Sequence, residues 1–78
     1  MNETSKKIMA VFKDCRTTED GVLFVNALCN RAHAWDGYHL ELLDESIEEL
    51  LSSGFVRETE RGSGLILTRE GYRFLHRN

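Results

Sequence analysis

The hydrophobic period of this 78-residue chain changes once, at Ser52-Ser53-Gly54. Before that point apolar residues recur every three or four positions, as on one face of a helix. After it they alternate with polar ones, as on a strand. Ile8, Val11/Phe12 and Cys15 make a first stripe, with Thr4 or Ser5 as its N-cap, because a hydroxyl there accepts from an unpaired first-turn N–H. Thr17 followed by Asp20 reads as a second start of the capping-box type, leading into Val22, Val25, Leu28/Cys29 and Ala32. Val22-Leu23-Phe24-Val25 is apolar on all sides, so this stretch is either buried helix or a short strand. Gly37 is expected to supply a left-handed turn. Leu40, Leu43, Ile47, Leu50 and Leu51 form a third stripe. Beyond Gly54, residues 55–60 and 65–68 flank Arg61-Gly62-Ser63-Gly64 as in a β-hairpin. Thr68 then caps a last helix from Arg69 to His76, with Tyr72 and Leu75 facing in.

The expected class is therefore α+β, in a single domain over residues 1–78, with no proline, repeat or linker to divide it. A composition 41 % hydrophobic and 29 % charged belongs to ordinary globular chains. So short a chain buries only about 60 % of its unfolded surface, which disfavours a large catalytic cavity. No apolar run approaches the roughly 18 residues of a membrane span. The run after Lys6-Lys7 breaks at Lys13-Asp14, too early for a secretion signal. Two cysteines fourteen positions apart are no disulfide framework, so a reducing cytoplasm is the expected compartment.

Two segments resemble the winged helix-turn-helix superfamily: Leu50-Leu-Ser-Ser-Gly-Phe-Val56, and Leu67-Thr-Arg-Glu-Gly-Tyr-Arg-Phe-Leu75. The first is similar to the Leu-x-x-x-Gly-Leu-Ile ending of a recognition helix. The second is similar to the Leu-Thr-x-x-Gly-x-x-x-Leu that leaves the wing. The resemblance implies a small winged-helix-like domain: three helices, a β-hairpin wing and a short C-terminal helix. It also implies a short positioning helix, whereas the second stripe here extends further. Its functional implication is DNA binding, with the third helix in the major groove and the wing on flanking DNA.

The charges oppose ordinary groove reading. The chain carries 10 Lys and Arg against 13 Asp and Glu, for a formal net charge of −3. Between residues 36 and 53 there is no Lys or Arg, but Asp36, Glu41, Asp44, Glu45, Glu48 and Glu49 are all acidic. At about 100° per residue, the last five of these fill the side of the third helix opposite its apolar stripe. Phosphates repel carboxylates, and DNA affinity comes largely from Lys and Arg. An acidic outer face is otherwise an ordinary solvated face. The functional alternative is a protein-interaction module that presents this face to a basic partner surface, with Trp35, Tyr38 and Leu42 as apolar anchors. Such a partner is expected to be a nucleic-acid-handling protein if the carboxylates imitate phosphate. Residues 54–78 instead hold Arg57, Arg61, Arg69, Arg73 and Arg77. These suit a small DNA-binding transcriptional regulator that contacts double-stranded DNA through the wing and final helix, and paired wings of a homodimer would sum their charge. The structural alternative for these arginines is pairing with Glu58, Glu60 and Glu70.

Other chemistry is weak. Cys29 and His33 stand at i, i+4, with His39 and Cys15 as conceivable completers, but zinc sites normally show paired Cys or His units. The same Cys–His pair with Asp36 lacks an evident oxyanion donor. Cys29 is expected to be a buried apolar residue and His33 a helix-end group. No cofactor, metal or catalytic residue is expected, and no membrane contact.

Overall fold

Ile8, Met9, Val11 and Phe12 form the centre of the core, all on one side of the first helix, α1 (Glu3–Asp14). In this computed structural model, which describes residues 1–77, seven further elements follow. They are β1 (Val22–Phe24), α2 (Val25–Ala32), α3 (Gly37–Glu41), α4 (Leu43–Ser52), β2 (Val56–Glu58), β3 (Gly64–Leu67) and α5 (Arg69–His76). The molecule is a small α+β domain with a three-stranded antiparallel sheet in the order β1-β3-β2. Leu23, Val56, Leu65 and Leu67 close the core from the sheet, while Leu28, Ala32 and Leu50 close it from α2 and α4. None of the described helices is long and apolar enough to cross a membrane.

The element count exceeds the three helices, hairpin and C-terminal helix expected, for two reasons. Residues 22–24 are a strand, because β3 offers them a partner: Val22 pairs with Ile66, Leu23 with Leu65 and Phe24 with Gly64. The second helix therefore starts at Val25 and spans eight residues, and the Thr17/Asp20 start signal initiates no helix. The third helix is broken at Leu42, whose ψ of 1° departs from helical geometry. As a result Leu40, expected inward, is 40 % exposed, while Leu50 is buried and Leu43, Ile47 and Leu51 pack partly buried against the core. Gly37 opens α3 instead of making a left-handed turn, because Asp36 caps that helix through its carboxylate and the His39 N–H, 3.1 Å away. The left-handed glycines are Gly54 (φ 79°) and Gly62 (φ 68°).

The N-cap of α1 is Asn2, not Thr4 or Ser5. Asn2 Oδ1 accepts from the Ser5 N–H at 2.6 Å and from the Ser46 hydroxyl at 3.2 Å. Thr4 and Ser5 are both buried one turn later, Thr4 with its hydroxyl 2.7 Å from His39 Nδ1. A hydroxyl committed to the packing of α1 against α3 and α4 is not free to cap.

Residues 54–55 and 67–71 interlock, which accounts for the two sequence motifs. The left-handed Gly54 reverses the chain after α4. The Thr68 hydroxyl donates to the Gly54 carbonyl at 2.6 Å and accepts from the Gly71 N–H at 3.1 Å. The Thr68 N–H donates to the Phe55 carbonyl at 3.1 Å. Gly71 lies against that same carbonyl, so closely that a Cβ there would collide with it and approach Leu67 Cδ1 to 2.8 Å. The expected hairpin and the Thr68-capped helix are both present.

Candidate functional site

The acidic residues of 36–53 do not share one face. Three groups result, each set by what the helix turns that side toward. Asp36 and Glu41 belong to the α3 segment, where Asp36 is occupied as the cap. Glu49 turns toward α1 and accepts from the Asn2 backbone N–H at 3.0 Å. The Ser5 hydroxyl and that N–H hold its carboxyl below the ordinary glutamate range, because both favour the charged form. Glu49 is thus a structural group, not part of a free outer face. Asp44, Glu45 and Glu48 remain, exposed on the side of α4 that looks toward the β2–β3 hairpin.

That side is one wall of a cleft of about 520 Å³. Ile47 of α4, Val25 at the start of α2 and Leu65 of β3 give it apolar surface, and Glu58, Gly62 and Gly64 form the hairpin wall. Among the described residues, four carboxylates line it and no Lys or Arg does. Among the described residues none of the four makes an ion pair. The hairpin wall is held by Thr59, whose hydroxyl accepts from the Ser63 and Gly64 N–H groups at 3.1 and 3.2 Å. Sequence reading missed Glu58 as a site residue, because local pattern assigned it to the counterions of the arginines. The detectable signal was its place in the alternation, two residues after the inward Val56.

The three apolar anchors are not together in the cleft. Trp35 packs partly buried against the core, with Lys7 Nζ 5.9 Å from its ring centroid. Leu42 is half-buried at the α3–α4 break. Tyr38 is 66 % exposed, set edge-on to the His39 ring. It stands near Leu40 on α3, away from the cleft lining.

No family model, curated protein or solved structure matches the chain. Its functional reading therefore rests on the arrangement of its own residues.

The arginines fall into separate places. Arg57 lies on the outer side of the sheet, 3.5 Å from Asp20. Both partners are largely exposed, so that pair contributes at most about 1 kcal/mol. Arg61 is at the exposed hairpin turn, next to Glu60 and Gly62. Arg69 and Arg73 are exposed on α5, and the Arg77 guanidinium lies 4.9 Å from the Phe74 ring centroid. Arg61 and Arg69 lie beyond opposite ends of β3, whose four residues span about 10 Å at ~3.3 Å per step. The expected pairing with Glu58, Glu60 and Glu70 does not occur among the described residues. Cys29 is half-buried rather than buried, and His33 ends α2. Among the described residues no three His, Cys, Asp or Glu side chains are placed to hold a metal ion.

Proposed function

We propose that this chain is a non-enzymatic, winged-helix-like binding module that engages a basic protein surface through the acidic side of α4. The observation that carries this is the set Asp44, Glu45 and Glu48, exposed on one side of α4 and free of cation partners among the described residues. A recognition helix needs the opposite charge to approach phosphates. The winged-helix resemblance is supported by the eight-residue α2, the hairpin between α4 and α5, and the glycine turn after α4. Tyr38 and Leu40 are exposed apolar residues on the neighbouring α3, outside the cleft lining.

The test is charge reversal. Glu45→Lys with Glu48→Lys should abolish binding of a basic peptide while leaving the fold intact by circular dichroism. Retained binding would remove α4 from the site.

A second reading, a small DNA-binding regulator, has its own support: Arg61, Arg69 and Arg73 are exposed and make no carboxylate pair among the described residues. Amide shifts titrated with a random-sequence duplex at about 50 mM salt decide it, since non-specific binders contact DNA under such conditions. Shifts confined to Arg57, Arg61, Arg69, Arg73 and Arg77, fading as salt rises, would favour the regulator. A silent spectrum would remove it.

A further inference from the structure

We propose that the free edge of β1 pairs with β1 of a second copy of this chain, antiparallel and about a two-fold axis at Leu23, so that two three-stranded sheets join into one. This surface is separate from the acidic side of α4, and the proposal does not rest on the reading of that side.

Strand register carries the argument. β1 is an edge of the sheet, with β3 on one side and, among the described residues, no strand on the other. The Leu67 N–H donates to the Gly21 carbonyl, and the Val25 N–H to the Ser63 carbonyl, both at 2.9 Å. Residues 21 and 25 thus bond toward β3. Bonded and non-bonded positions alternate in an antiparallel pair, so Leu23 bonds toward β3 as well. The N–H and C=O groups of Val22 and Phe24 therefore point to the open edge. Both residues are exposed, at 40 % and 59 %, on the outer side of the sheet with Ile66, while Leu23 is buried. The edge is bounded at both ends: the Gly21 N–H turns back to the Thr18 carbonyl at 2.8 Å, and α2 begins at Val25.

The two edges of the sheet differ. The β2 edge carries Arg57 and Glu58, and charged side chains are a common protection against a second strand. The β1 edge carries no charge. Val22-Leu23-Phe24 and Gly64-Leu65-Ile66-Leu67 hold no polar side chain on either face, the composition of strands covered on both sides. Charge points to a second copy as the cover. With a formal net charge of −3, two copies repel each other except where charge is lacking. No charged side chain occurs between Asp20 and Arg31, the longest such interval in the sequence, and β1 lies inside it. Length agrees, because a three-residue edge that bends away at both ends matches a strand with the same length and the same bends. A two-fold axis at Leu23 puts Val22 opposite Phe24 of the second copy. These are the residues whose backbone groups point outward, so each opposed pair exchanges both of its N–H···O bonds. The Phe24 carbonyl, which also starts α2, has a second lone pair for this bond. On the outer face each Phe24 ring meets Val22 of the other copy, an aromatic–β-branched pair that stabilises sheets. So short a seam is well below the ~800 Å² per partner of a stable interface, and the dimer is a weak one, with a Kd on the order of 0.1 mM.

The experiment is sedimentation velocity of the full chain from about 10 μM to about 1 mM, with amide hydrogen exchange read by NMR at both extremes. The expected result is a monomer–dimer equilibrium that strengthens as salt rises from about 50 to about 500 mM, because screening relieves the repulsion of two acidic copies. At high concentration exchange slows at Val22 and Phe24 and is unchanged at Leu23, which is already bonded to β3. Phe24→Ser is expected to weaken dimerisation about tenfold. Tyr38→Ser, at the exposed aromatic of α3, should leave it unchanged. A chain that stays monomeric throughout overturns the proposal, as does a dimer that Phe24→Ser leaves intact or Tyr38→Ser disrupts. A dimer whose Val22 and Phe24 amides exchange no more slowly is stacked face to face, which overturns the edge pairing. Growth beyond the dimer overturns the closed two-fold, and weakening by salt makes the contact ionic and overturns it too. Each variant is checked for an unchanged amide spectrum. Should Phe24→Ser fail to fold, Val22→Lys replaces it, and since it lowers the net charge, a lost dimer cannot be ascribed to greater repulsion.

Discussion

At its Leu67 end β3 runs directly into Thr68, where hydroxyl and backbone N–H groups are matched to the Gly54 and Phe55 carbonyls and Gly71 fits against Phe55. At its Gly64 end the same strand opens into a cleft lined by four carboxylates and, among the described residues, by no Lys or Arg. The first end has polar groups satisfied by partners of the same chain and no space to spare. The second leaves charge unsatisfied and space empty. The contrast teaches that one strand can end in tightly matched packing on one side and in an open, like-charged cleft on the other, and variants should separate the two.

The largest effect is expected at the closed end. Gly71→Ala places a methyl group into the Phe55 carbonyl and should cost about 3 kcal/mol. Thermal unfolding by circular dichroism should then show a midpoint lowered by at least ~12 °C, given ~4–8 °C per kcal/mol for a domain of this size. An unchanged midpoint would mean that the close approach does not exist. Next, Thr68→Val keeps the shape but removes the hydroxyl that both caps α5 and binds Gly54. A loss of about 2 kcal/mol is expected in urea unfolding, with Thr68→Ser close to wild type. Similar losses in both variants would point to packing, not hydrogen bonding.

A smaller effect concerns Glu49, which lies outside both ends of β3 and marks where an acidic residue serves the fold. Its folded-state pKa is lowered by the Ser5 hydroxyl and the Asn2 N–H. In the window between that lowered value and the unfolded value of about 4.3, the unfolded chain binds more protons. Stability from this group is present above the unfolded value and is lost as pH falls through the folded one. Glu49→Gln should flatten that part of the acid limb in unfolding measured against pH. A limb of undiminished slope would reassign the effect to other carboxylates. The smallest stability change is expected at the open end. Glu58→Gln should stay within about 0.5 kcal/mol of wild type, with any gain largest at low salt, where repulsion is least screened. A loss beyond 1 kcal/mol would show that Glu58 supports the fold and would erase the contrast between the two ends.

The closed end was largely legible from the chain. Gly54, the hairpin and the Thr68-capped helix each have a local signal, since turn glycines, alternation and caps act over a few neighbouring residues. The open end was only half legible. The periodicity of α4 located Asp44, Glu45 and Glu48, but Glu58 joins them only because β2 and β3 fix its register against Leu65. Trp35 and Tyr38 looked equivalent as anchors, yet one packs on the core and the other is exposed. Their difference arises from where α1 lies.

By itself the sequence determined the change from helical to strand period, the hairpin, the final helix and the polarised distribution of charge. These follow from spacing, turn chemistry and side-chain type, which need no distant partner. Tertiary structure decided the cases in which two local solutions were equally good. Val22-Leu23-Phe24 became a strand because Ile66, Leu65 and Gly64 were there to pair with it. Asn2 became the cap of α1, and Glu49 its acceptor 47 residues away, because α4 packs beside that helix end. The acidic segment was divided between structure and cleft for the same reason: a residue's free energy in a fold depends on contacts made across the chain, and periodicity reports only those made along it.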